Sequence, residues 1–199
     1  MGKAIDNKKG AIFVFVLFIN AIIIMLATTL LSTVHMDFKM KKLNSEVKKT
    51  FYFAEAGLDE AYVLVLKFVD SAIKYAASEE NMDSKTVFID FIEGRYMNTD
   101  WKKGLGETLK DKGSYEICKD NDISIDVKLK KNKDSFSLTL TSHCKRDNIE
   151  KKIAMEYKID IPDNSYLEKD QGDNFCPGDI YKTIKSEDIV QIVNWKVER

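Results

Sequence analysis

The side chains whose types could bind a transition metal, attack a carbonyl or form a disulfide are few: His35 and His143, and Cys118, Cys144 and Cys176. His143 and Cys144 are neighbours in a stretch that alternates like a strand. Successive side chains there leave on opposite faces, so the two are not expected to hold one ion. No CxxC pair, P-loop, Gly-rich dinucleotide fingerprint or Ser-His-Asp arrangement is present, so catalysis has no support and neither cofactor nor metal is expected. Three cysteines in a domain outside the cytoplasm allow three different single disulfides, each leaving one thiol over. A bridge involving Cys144 is favoured, with reduced, buried cysteines as the alternative. Asp160, Asp163, Glu168, Asp170, Asp173 and Asp179 are oxygen ligands of the kind calcium takes, but without EF-hand spacing they are expected to form a solvated loop.

Charge narrows the partners. Residues 35–199 carry 28 basic and 31 acidic side chains, a net of -3, with no basic stripe interleaved with aromatics. Nucleic acid is therefore not an expected partner. The local run KMKKLNSEVKK is more simply a juxtamembrane belt touching anionic headgroups.

These residues must be positioned by elements of two different characters. None of the 31 basic and 32 acidic side chains of the 199-residue chain lies between Ala11 and Val34. As a helix rising about 1.5 Å per residue, that run is roughly 36 Å long, enough to cross a hydrocarbon core of about 30 Å. Its polar members are Asn20 and the hydroxyls of Thr28, Thr29, Ser32 and Thr33, which can bond back to the helix. Asn20 is the costly group, expected to find its partner at a helix–helix contact. The run is longer than a cleavable signal's apolar region and continues without Gly or Pro, so it is expected to be retained. The lysine count is three before it against Lys39, Lys41, Lys42, Lys48 and Lys49 after it, which by itself favours a cytoplasmic main domain; long domains can translocate regardless.

Helix is expected to continue from about Ala11 to Ala77, on the order of 100 Å. Val47, Phe51, Ala54, Leu58, Ala61, Tyr62, Val65, Val69, Ala72, Ile73 and Ala76 recur at threes and fours and make one apolar stripe. Gly57 costs about 1 kcal/mol there, so it marks a close approach or a gentle bend. Phe88, Phe91, Ile92 and Tyr96 predict a short second helix. Gly94, Gly104, Gly106 and Gly113 predict a connecting loop, pinned by Trp101 and Leu105. From Ser114 the period becomes two: Ile123–Leu129, Phe136–Leu140 and Ile153–Ile161 alternate with polar residues and read as half-buried antiparallel strands joined by short turns. Tyr115 to Cys118 is a candidate preceding strand, and Ile189, Val193, Trp195 and Val197 a last edge strand. The fold class is thus α+β, a long N-terminal helix packed on a C-terminal antiparallel sheet.

A short basic leader ending in Gly10, an apolar helix directly after it, an amphipathic extension and a C-terminal sheet resemble a type IV prepilin. The junction KKG/AIFVFV looks like a prepilin-peptidase site, and FYFAEAGLDEA, with Ala54, Glu55, Ala56 and Gly57, is similar to the Ala-Glu-Ala-Gly segment of PilX-type minor pilins. The likeness covers about the first 65 residues. It implies a leader over residues 1–10, a transmembrane helix over 11–34, its amphipathic continuation over 35–78 and an extracytoplasmic domain over 79–199. It also implies cleavage between Gly10 and Ala11 and methylation of the new amino group of Ala11. Most relatives carry Glu at the fifth position of the mature chain, where it pairs with a neighbour's terminal ammonium; this chain has Phe15, which cannot.

The expected function is therefore a minor pilin or pseudopilin, at or near the tip of a filament or initiating it. Its expected partners are prepilin peptidase, other pilin subunits with their assembly machinery, and the lipid bilayer. The alternatives are a non-assembling single-pass receptor or adhesin, and a membrane-anchored enzyme.

Overall fold

A computed structural model describes residues 3–78, 83–96, 101–111, 115, 123–162 and 185–198, with side chains described over 10–197 of these. In chain order the elements are α1 (Lys3–Ser78), α2 (Ser84–Glu93), α3 (Leu105–Lys110), β1 (Ile123–Lys131), β2 (Ser135–Arg146), β3 (Ile149–Asp160), the single turn α4 (Ser186–Ile189) and β4 (Val190–Glu198). The chain divides into two compact units, Met1–Val47 and Lys48–Arg199.

In the first unit α1 begins at Lys3, not at Ala11 as the sequence suggested. The residues ahead of the apolar run include no proline, and Gly10 alone, at a cost of about 1 kcal/mol, does not stop a helix that propagates on both sides of it. Every residue from Gly10 to Asn44 is exposed.

The second unit has the α+β architecture the periodicity predicts. Its four strands form one antiparallel meander in the order β1-β2-β3-β4. Tight turns set the register: Asp147, between β2 and β3, takes the left-handed conformation (φ 51°) that a short polar side chain tolerates. Even-numbered residues of β2 from Phe136 to Cys144 point inward and pair with odd-numbered residues of β1 and β3, so one sheet face is apolar. The stretch of α1 from Lys48 to Ser78 covers that face. Ala54, Leu58, Ala61, Val65, Val69, Ala72 and Ala76 are buried as the stripe requires, and Phe68 and Thr50 join them. Each large side chain so buried stabilises the fold by about 1.5–3 kcal/mol.

Tyr157 of β3 is 1% exposed, stacks on Tyr62 of α1 with ring centroids 5.4 Å apart, and donates its hydroxyl to Met155 Sδ at 3.1 Å. Burial, then the neighbouring Tyr62 and Asp59, push its phenol well above the usual tyrosine range.

At the other end of the helix, Phe68 packs against Phe91 and Trp101, and Trp101 Nε1 donates to Ser71 Oγ at 3.0 Å. The predicted second helix is α2, started by Asp83, whose carboxylate accepts from Thr86 N at 3.1 Å. It stops at Gly94 in the left-handed conformation (φ 81°).

Two expectations change. The Gly-rich stretch after Trp101 is not all loop: α3 forms there with Gly104 as its N-cap, burying Leu105 and Leu109. The last strand starts at Val190, because Ile189 belongs to α4, where Asp188 Oδ2 accepts from Lys185 N. Along β4, at the sheet edge, Ile192, Val193 and Trp195 are exposed, and a bulge opposite Glu156/Tyr157 shifts its alternation. Of the candidate strand at Tyr115, only Tyr115 is among the described residues; it is buried and its hydroxyl donates to Leu109 O.

Gly94→Ala should lower stability by about 2–4 kcal/mol, because its methyl would meet Gly104 N at 2.5 Å on top of the left-handed backbone strain; thermal melting of the full chain in detergent reads this. The buried phenol makes a second expectation. Above about pH 10 the unfolded chain releases the Tyr157 proton while the folded chain keeps it, so stability falls by up to about 1.4 kcal/mol per pH unit until the raised folded value is reached. Below pH 10 the group contributes no slope. The alkaline fall should be shallower in Tyr157→Phe than in the wild type, measured by denaturant titration at stepped pH.

Candidate functional site

The residues singled out in the sequence fall into two groups, one in each unit. Gly10, Ala11, Phe15 and Asn20 lie on α1 in the first unit and are all exposed. At about 100° per residue Phe15 stands near the line of Ala11, while Asn20 stands about 180° from Ala11 and 140° from Phe15. Ala11 and Phe15 thus share one side of the helix and Asn20 stands on the other. A methyl at Gly10 would meet nothing within 4 Å, so the junction is sterically open.

The hydroxyls of the run satisfy themselves. Thr28 and Thr29 both donate to Met25 O, at 2.9 and 2.7 Å, and Thr33 donates to Thr29 O at 3.0 Å. The helix from Gly10 to Ser78 contains a window long and apolar enough to cross a membrane, and none of that window is buried in the protein. Past Val34 the exposed Met36, Phe38, Met40 and Leu43 alternate with Lys39, Lys41 and Lys42.

The second group, Ala54-Glu55-Ala56-Gly57, sits where α1 meets the sheet. Ala54 and Gly57 are buried and Glu55 and Ala56 half-buried. Gly57 is the close approach: a methyl there would stand 3.1 Å from Ser142 Oγ and 3.3 Å from Ile123 Cγ2, with Ile125 Cδ1 at 3.8 Å. Ile125 and Ser142 are cross-strand partners in β1 and β2, so the glycine rides over one rung of the ladder. Ser142 Oγ is buried without a hydrogen-bond partner among the described residues. Glycine leaves that hydroxyl room but offers it nothing to bond. Ser142 was not picked out in the sequence, where it reads as one more polar residue of an alternating strand. Its inward phase, shared with Leu138, Leu140 and Cys144, was the signal that could have found it.

Cys144 is buried on the inner face and His143 stands on the outer face, as alternation requires. His143 Nε2 lies 2.8 Å from Glu150 Oε1 and Lys152 Nζ 3.3 Å from the same oxygen. His143 first, then Lys152, hold the exposed Glu150 carboxyl below its usual range. Cys118 and Cys176 lie outside the described residues, as do Asp163, Glu168, Asp170, Asp173 and Asp179; Asp160 pairs with Lys158 at 2.7 Å. Comparison of the chain with protein-family models, with curated proteins and with solved structures finds no match.

The helix–sheet rung gives a direct test. Gly57→Ala gains about 1 kcal/mol of helix propensity but forces a contact that costs about 2–3 kcal/mol, so a net loss of about 1–2 kcal/mol is expected. Ser142→Ala alone should be neutral or stabilising by roughly 1 kcal/mol, because it removes an unpartnered buried hydroxyl. In the double variant the Gly57→Ala loss should shrink, a coupling visible in a denaturation cycle of the four chains.

Proposed function

We propose that this chain is a minor pilin or pseudopilin, a membrane-stored subunit of a type IV filament or a related secretion machine, cut by prepilin peptidase between Gly10 and Ala11. The observation that carries the reading is the junction itself: KKG followed directly by an uncharged run that is fully exposed along one helix. An apolar helix is equally stable in lipid and in a bundle of similar helices, so one surface serves both storage and assembly. Two further features support it. The Ala54-Glu55-Ala56-Gly57 segment lies at the joint of helix and sheet, and the α+β domain follows the span in the order a pilin has.

Phe15 makes the chain a poor bulk subunit. With no carboxylate at the fifth mature position it cannot pair with a neighbour's terminal ammonium in lipid, so it belongs at or near the tip, or at initiation, where no subunit stands ahead of it. The domain is then extracytoplasmic, reaching the cell surface with the filament. A single-pass receptor or adhesin that never assembles is the second reading, favoured by Phe15; the five lysines between Lys39 and Lys49 count against an outside domain in either reading.

Co-expression with a prepilin peptidase should shorten the chain by its ten leader residues and leave an N-methylated Ala11 in the mass spectrum. An intact Met1 terminus in the presence of active peptidase excludes the pilin reading and leaves the second. Labelling confined to filament ends supports the tip position, and even labelling along fibres rules it out.

A further inference from the structure

We propose that α1 pairs in the membrane with α1 of a second copy of this chain, parallel and in register, through reciprocal hydrogen bonds between the two Asn20 carboxamides. The run from Ala11 to Val34 is centred between Ile22 and Ile23, so a centred span places Asn20 about 4 Å from the bilayer midplane. Neither water nor lipid tails supply a hydrogen-bond partner at that depth. The nearby threonines bond to their own helix, whereas Asn20 is exposed and makes no hydrogen bond among the described residues. Its two N–H donors and its carbonyl acceptor are therefore committed to another molecule.

The depth and the chemistry select a second copy as that molecule. A carboxamide is both donor and acceptor, so two of them satisfy one another with no third group. Copies of one chain share orientation and depth, so parallel helices bring Asn20 level with Asn20 automatically. Any other helix would need a polar side chain within one turn of the same level. A single asparagine in an apolar seam also sets register, because every shifted pairing leaves both amides bare. Around it the seam is Val16, Leu17, Ile23, Ile24 and the small Ala27, all exposed. Lys39, Lys41 and Lys42 of two copies repel, but they lie in the aqueous zone where charges are screened over about 8 Å. The pairing face is turned away from Ala11 and Phe15, so the inference stands whether or not the chain is a pilin.

The test places the full chain, labelled at its C-terminus with donor in one preparation and acceptor in another, in phosphatidylcholine/phosphatidylglycerol vesicles. Energy transfer is followed as the chain is diluted with lipid. Wild type should show reversible pairing. Asn20→Leu, which keeps the span apolar, should need about three to twenty times more protein per lipid for the same transfer, and Asn20→Gln should stay within about twofold of wild type. An unchanged melting profile of the domain confirms that the variants are folded. Equal curves for wild type and Asn20→Leu, or no transfer at any density, overturn the proposal. So does transfer that appears only when other membrane proteins are added. Failure of leader processing would leave this result unaffected.

Discussion

The structure depends on how the apolar surface of a single helix is kept from water. From Lys48 to Ser78 the apolar stripe of α1 is covered by the sheet and, around Phe68 and Tyr75, by α2 and Trp101, and the cover is made of fully buried side chains such as Leu58, Val65, Phe68, Leu138 and Tyr157. From Ala11 to Val34 nothing in the described chain covers it, and the exposed surface includes Phe13, Phe15, Phe18 and a run of leucines and isoleucines. An apolar surface of that extent is untenable in water and unremarkable in lipid. One element thus has a half covered by protein and a half long and apolar enough to cross a bilayer.

The joint between helix and sheet shows what the first kind of cover demands. Gly57 lets the helix backbone come close to the strands, the buried Ala54, Ala61, Ala72 and Ala76 keep the same stripe thin, and Phe68 and Tyr62 fill the wider spaces toward Trp101 and Tyr157. The Ala-Glu-Ala-Gly segment thus has a structural reason to be small that is independent of any assembly role. A segment of the same composition could serve both ends, but only its packing is visible in the contacts of Gly57 with Ser142 and Ile123. The membrane run works differently: its side chains are interchangeable as apolar surface except for Asn20, whose amide carries directional information that lipid cannot satisfy.

Much of the fold was legible because periodicity is a one-dimensional record of burial. Alternation located β1 and the cores of β2 and β3, short of residues 141–146 and 149–152, and threes and fours located the buried stripe of α1. Phe68 and Thr50 continue that stripe and were passed over in an otherwise correct pattern. The helix α3 was hidden by its glycines, which read as a loop until Gly104 turns out to be a cap packed against the backbone of Glu93 and Gly94. At β4 the alternation of Val193, Trp195 and Val197 located the edge strand, but not that Val193 and Trp195 are exposed on it.

The amino-acid order alone determined the solvents: an uncharged run long enough for lipid, a stripe that needs a sheet, and strands whose phase decides which side is inward. These are local properties, set by side-chain type and the two backbone periods. Only the folded chain decided which distant residues meet and which stay bare: that Gly57 rides on Ser142, that Tyr62 lies flat on Tyr157, and that Ile192, Val193 and Trp195 of β4 are exposed. Those outcomes depend on strand order and on the volume each side chain claims in a shared core. Neither quantity is written in any one stretch of the chain.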